Sequence, residues 1–155
     1  MRKPLFLLGA VLVAGLAACG NSTGHATHGT PHAAAPAGVR VEVEDSSLGP
    51  ILTDQNGRTL YAFTNDKGGT STCTGACIAT WPALSSRQPA AAGQGADKGL
   101  LAQTVRAEGT AQTTYGDWPL YYYAGDQGPG DIDGQGVDGV WFAVGADGKL
   151  VKTAP

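Results

Sequence analysis

The chain has 155 residues, a formal net charge of −3 and 42% hydrophobic residues, enough for one domain of ordinary size with short extensions. An acidic balance argues against nucleic acid as a partner, because phosphate backbones select basic surfaces. All 3 histidines precede residue 39, so Ser-His-Asp, Cys-His and histidine-metal hydrolase sites cannot be assembled from the remainder, and no glycine loop of the P-loop type is present.

Residues 1–18 read as a signal peptide. Arg2 and Lys3 precede an apolar run from Leu5 to Leu16, and Leu16-Ala17-Ala18-Cys19 follows directly. The run is shorter than the roughly 20 apolar residues of a spanning helix. Leu-Ala-Ala-Cys resembles the lipobox of bacterial lipoproteins, which implies cleavage before Cys19 and a covalent lipid on its thiol as the one attached group, with no other cofactor. Each buried methylene of such an anchor contributes about 0.8 kcal/mol. The plain alternative is an ordinary signal peptide cut near Ala18. The expectation is an extracytoplasmic chain held on the cell membrane by lipid. Cleavage removes two cations and no acid, which takes the formal charge from −3 to −5.

Residues 19–38 hold the lipidated cysteine and a Gly, Ala, Ser, Thr, Pro and His tether without a large apolar residue, the composition of a flexible spacer. His25, His28 and His32 within it are weak candidate metal ligands, because a flexible segment must be ordered before it chelates.

Residues 39–155 form the domain, and sliding it on itself by sixty residues exposes a duplication. Leu60, Tyr61, Phe63, Asp66 and Trp81 fall on Leu120, Tyr121, Tyr123, Asp126 and Trp141. The first repeat covers about 39–84, a loop 85–98, and the second repeat about 99–155. Residues 39–43 alternate at period two, the pattern of a half-buried strand. Strands at 51–53 and 58–63 flank a turn over 54–57, in which Asn56-Gly57 supplies the positive φ angles. In the second repeat the expected strands are 104–107, 111–115 and 120–123, with turns at Glu108-Gly109 and Gly116-Asp117. A last hairpin pairs 140–144 with 149–152. Helix is confined to single turns at 77–81, stopped by Pro82, and at 98–103. The predicted fold class is all-β, mainly antiparallel hairpins, with the two tandem repeats forming one small sandwich or barrel-like domain around a shared core.

The repeated Tyr-x-aromatic-x-x-Asp element, Tyr61 to Asp66 and Tyr121 to Asp126, resembles the predicted lipoproteins with a Yx(FWY)xxD motif, the secreted repeat of unknown function family. Cys73-Thr-Gly-Ala-Cys77, Trp81-Pro82 and Trp118-Pro119-Leu120-Tyr121 extend the resemblance from about residue 39 to the end. It implies no established activity.

Each chemical candidate has a plain reading beside it. Asp66 and Asp126 suit the turn after a strand, accepting backbone N–H groups; the alternative is a carboxylate pair like those that flank a glycosidic bond. Tyr61, Phe63, Tyr121 and Tyr123 point to one face within each strand and suit a core, or a groove for a sugar or aromatic ligand, while Tyr122 faces the other way as the exposed aromatic. With Cys19 committed to lipid, Cys73 and Cys77 form the sole pair, and a disulfide is its default in an oxidising space. Asp131, Asp133 and Asp138 lack the glutamate of an EF-hand and suit a solvated turn. The leading expectation is a non-catalytic binding or structural module of the envelope, its partner an envelope protein or a cell-wall polymer. Two rivals stand beside it: a redox or metal-handling lipoprotein using Cys73, Cys77 and the histidine tether, and a carbohydrate-active enzyme using Asp66 and Asp126.

Overall fold

A computed structural model describes residues 38–153; Cys19, His25, His28 and His32 lie outside them. The first hairpin joins β1 (Arg40–Ser46) to β2 (Gly49–Asp54), with Val41 opposite Asp54 and Ser46 opposite Gly49. Ser46 Oγ closes its turn, donating to the Gly49 carbonyl at 2.8 Å and accepting from Leu48 N at 3.1 Å. After β2, Asp54 Oδ1 accepts the N–H groups of Asn56 and Arg58. Gly57 takes φ +75°, whereas Asn56 keeps a negative φ. The turn is therefore a three-residue loop, 55–57, in which glycine alone carries the left-handed conformation and Asn56 does not share it.

The remaining elements are β3 (Tyr61–Phe63), α1 (Ala76–Thr80), β4 (Ala91–Ala92), β5 (Leu101–Val105), β6 (Ala111–Tyr115), β7 (Trp118–Pro119) and β8 (Trp141–Ala143). They make three small sheets, in the orders β2-β1-β4, β3-β8 and β5-β6-β7, which do not close into a barrel. The fold is all-β with little helix.

Several local expectations are corrected. Residues 98–103 are not a helix: a 3-10 turn at Lys98–Leu100, capped by the Asp97 carboxylate on Gly99 N, gives way to β5. β5 thus ends at Val105, earlier than the strand expected at 104–107. The segment expected as a loop at 85–98 contains β4, which pairs in parallel with β1. The strand expected at 120–123 is reduced to single bridges of Tyr121 with Tyr61 and Ala83.

The two repeats are interlaced. β3 of the first repeat pairs with β8 of the second, Phe63 lying opposite Trp141, and the equivalent stretch of the second repeat meets the end of the first through Tyr122 N to Pro82 O at 2.8 Å. Corresponding bonds recur on both sides: Thr64 N to Val140 O and Ala124 N to Thr80 O, each 2.9 Å; Leu52 N to Val144 O and Thr113 N to Leu84 O, at 2.8 and 2.9 Å. Each repeat thus lends its terminal segment to the hairpin of the other.

Period-two alternation along these shared segments divides the apolar side chains between two faces. Leu60, Ala62 and Leu120 join Val41, Leu52, Leu84, Tyr115 and Val144 in one cluster. Tyr61 and Tyr121 join Ile51, Cys73, Trp81, Trp141 and Ala143 in another. The expected single core is two clusters sharing one layer of backbone. A fully buried leucine such as Leu52, Leu60 or Leu120 contributes about 1.5–3 kcal/mol, and the cluster they share draws on both repeats.

Candidate functional site

Interlacing builds one continuous aromatic stack. Trp81 and Trp141 lie face to face with centroids 3.8 Å apart and planes 3° from parallel. Phe63 stacks on Trp141 at 4.3 Å, and Tyr123 lies against Trp81 at 4.5 Å with its plane tilted by 32°. The order Phe63, Trp141, Trp81, Tyr123 alternates between repeats, because the β3-β8 register sets Phe63 beside Trp141 and the crossing at Pro82 sets Tyr123 beside Trp81. Tyr61 and Tyr121 meet the two indoles edge-on, at 5.6 and 5.2 Å. Each such aromatic pair is worth about 0.5–1.5 kcal/mol beyond its buried area.

The two aspartates of the repeated motif hold this assembly from behind. Tyr61 donates its phenol proton to Asp126 Oδ2 at 2.9 Å, and Tyr121 donates to Asp66 Oδ2 at 2.6 Å. Asp66 Oδ1 also accepts from Thr72 N and Thr72 Oγ1, at 2.7 and 2.6 Å, while Asp126 Oδ1 accepts from Asp133 N at 3.0 Å. Sequence reasoning placed both carboxylates on backbone N–H groups of a turn and missed the tyrosine of the opposite repeat. Burial, with the neighbouring aspartate charge, pushes the Tyr61 phenol well above its ordinary pKa; burial and the hydrogen bond to Asp66 do the same to Tyr121. Burial also raises the Asp126 carboxyl. Tyr122 is not an exposed aromatic: its hydroxyl bonds Asp54 Oδ2 at 2.9 Å and the Arg58 guanidinium covers its ring at 4.6 Å.

A groove of about 430 Å³ runs along the stack, lined by Phe63, Trp81, Tyr123 and Trp141. Cys77 borders it on one side and Val137 on the other, equivalent positions under the sixty-residue offset. Cys73 and Cys77 are joined by a disulfide, their Cα atoms 5.3 Å apart. The second repeat has Asp133 and Val137 in their places, so the disulfide is the chemical difference between the two walls. The side chains of Asn65, Thr80 and Asp138 also reach the groove.

Arg106, which sequence reasoning did not single out, stands behind the disulfide loop. It is only 4% exposed. Its Nη2 donates to the Cys73 carbonyl at 2.8 Å; its Nη1 donates to Ser71 Oγ at 2.6 Å and Gln112 Oε1 at 2.9 Å; and its Nε meets the Glu108 carboxylate. Ser71 Oγ in turn touches the Tyr121 hydroxyl at 2.7 Å. A buried cation without such partners would cost several kcal/mol.

Elsewhere the chemistry is dispersed. Lys67, Lys149 and Lys152 gather around a hollow of about 460 Å³ with Trp118, but Lys67 Nζ is held by the Thr64 carbonyl, Lys149 by Asp147, and Lys152 lies over Phe142. A hollow of about 480 Å³ beside Ser85, Arg87 and Gly109 contains no aromatic side chain. Asp131 Oδ2 accepts Gln127 N and Gly128 N, each at 2.8 Å, and so closes a turn. Among the described residues no three His, Cys, Asp or Glu side chains converge as a metal site requires.

A family model described as a secreted repeat of unknown function matches residues 43–85 and 103–145, two stretches set sixty residues apart. No curated protein and no solved structure matches the chain.

Proposed function

The chain belongs to the secreted repeat of unknown function family and is extracytoplasmic, and from that premise we propose that it is a lipid-anchored, non-catalytic binding module of the cell envelope whose docking surface is the groove over the aromatic stack. The anchor is Cys19, and residues 19–38 space the domain from the lipid so that the groove reaches an envelope protein or a cell-wall polymer. The observation that carries this reading is the groove itself. It is floored by four rings in succession drawn alternately from both repeats, and its rim residues Asn65, Thr80 and Asp138 spend no side-chain hydrogen bond on the described residues. Aromatic side chains beside uncommitted polar groups are the composition of binding-site cores.

Two measurements test it. Metabolic labelling with a fatty acid is expected to mark the chain and to fail on Cys19→Ser; labelling that persists removes the anchor. A photo-crosslinking side chain placed at Asn65 or Asp138 in intact envelopes is expected to give a discrete adduct that is lost when residues 20–38 are deleted. The same probe at Gln88, away from the groove, is expected to give none. Equal adducts at all three positions sink the groove as the docking surface.

A further inference from the structure

We propose that the Cys73–Cys77 disulfide is an exchange site that accepts electrons from a dithiol partner docked in the groove, with Cys77 the sulfur attacked and Cys73 the sulfur released. This deepens the reading of the groove as a docking surface and rests on it for access to a partner.

Three observations carry it. The two sulfurs differ in access: Cys73 is 1% exposed, whereas Cys77 is half-buried and lines the groove beside Trp81. Exchange needs an in-line approach to one sulfur, so access selects Cys77. Next, the residue that would leave is tied to a buried cation, since Arg106 Nη2 holds the Cys73 carbonyl at 2.8 Å. Burial by itself destabilises a thiolate, and a guanidinium held on the main chain of the same residue is the cation that would offset this as charge develops on Cys73. The half-exposed Glu108 carboxylate offsets part of that charge at Arg106 Nε, while Nη2 keeps its bond to the Cys73 carbonyl. Lastly, the duplication leaves the opposite wall without sulfur, with Val137 where Cys77 would be.

A partner thiolate attacks Cys77 Sγ and its lone pair forms a mixed disulfide. The Cys73–Cys77 bond breaks and its electron pair leaves on Cys73 as thiolate. A second thiolate of the partner then attacks the partner sulfur of the mixed bond and expels Cys77 as thiolate. The partner ends with one new disulfide, this chain ends as a dithiol, and the two protons released by the partner thiols are taken up by Cys73 and Cys77. Two electrons have moved in one stoichiometric turn.

Glutathione is the probe, applied to the full chain carrying Cys19→Ser so that Cys73 and Cys77 are its only cysteines. With the chain still folded, trapping and peptide mapping are expected to find glutathione on Cys77. Glutathione on Cys73, or a disulfide inert until the chain unfolds, overturns the proposal. Arg106 is a positioning residue, and its part is read from the pH profile of Cys73 alkylation in the reduced chain. Arg106→Gln is expected to shift that profile upward and to slow exchange about tenfold, and Arg106→Lys to recover most of the rate. Equal profiles for the two variants remove Arg106 from the proposal. Glutathione is small enough to need no docking. Its reaction at Cys77 therefore tests the exchange chemistry alone, while the crosslinks at Asn65 and Asp138 test the groove alone.

Discussion

Tyr61 and Tyr121, equivalent residues of the two repeats, hydrogen-bond each other's main chain in both directions, N to O at 2.8 Å and 2.9 Å, and each sends its phenol to the aspartate of the other repeat. The duplication is therefore one interlaced unit: each repeat keeps a hairpin of its own, β1-β2 or β5-β6, but both apolar clusters draw on both repeats. Cleavage of the chain at exposed Arg87, between the repeats, is expected to leave two fragments that travel together in native size-exclusion chromatography and part only in denaturant. Fragments that separate in buffer would contradict the interlacing.

The two cross-repeat pairs set up a double-mutant cycle. Tyr121→Phe removes a donor from a buried carboxylate and is expected to cost about 1–3 kcal/mol of unfolding free energy, as does Asp66→Asn. Because the two groups share one bond, the double variant is expected to cost clearly less than the sum. Additive costs in denaturant titrations would mean that the bond at 2.6 Å contributes nothing specific. Tyr61→Phe with Asp126→Asn is the matching cycle on the other side.

Alkali should unfold the domain through its tyrosines. Tyr61, Tyr121 and Tyr122 all hold pKa values raised above the ordinary 10.0, chiefly by burial. Below that value they are protonated in both the folded and the unfolded chain, and their contribution is fully present. As pH rises past 10.0 the unfolded chain releases these protons while the folded chain retains them, so stability falls. Tyrosinate absorbance from these three is expected to appear together with loss of the β-sheet circular dichroism signal. Reversible titration of all 5 tyrosines within an intact fold would refute it.

Gly134 is glycine for a steric reason. A Cβ there would stand 2.8 Å from Tyr61 Cζ and 3.0 Å from Tyr123 Cβ, inside the packing that presents Tyr61 to Asp126. Gly134→Ala is expected to destabilise by about 1–3 kcal/mol through overpacking, read as a lower denaturant midpoint with an unchanged slope. Gly128→Ala, where no atom lies within 4 Å of the added carbon, is the control and is expected to change little.

The sixty-residue period, the strand-rich character, the Gly116-Asp117 turn and the Cys73–Cys77 pair were legible in the residues, because each rests on local chemistry: alternation at period two, the left-handed tolerance of glycine, and two cysteines close along the chain. That alternation also told that Tyr61 and Phe63 share a face. It could not tell what that face meets, since partners such as Tyr61 and Asp126 are 65 residues apart and periodicity carries direction without distance. The exchange of terminal segments, the ring order Phe63, Trp141, Trp81, Tyr123, the half-burial of Tyr122 and the placing of Arg106 behind Cys73 were decided only in the tertiary structure. There, two similar repeats bury more apolar surface by adding their terminal segments to each other's hairpins than either could bury alone.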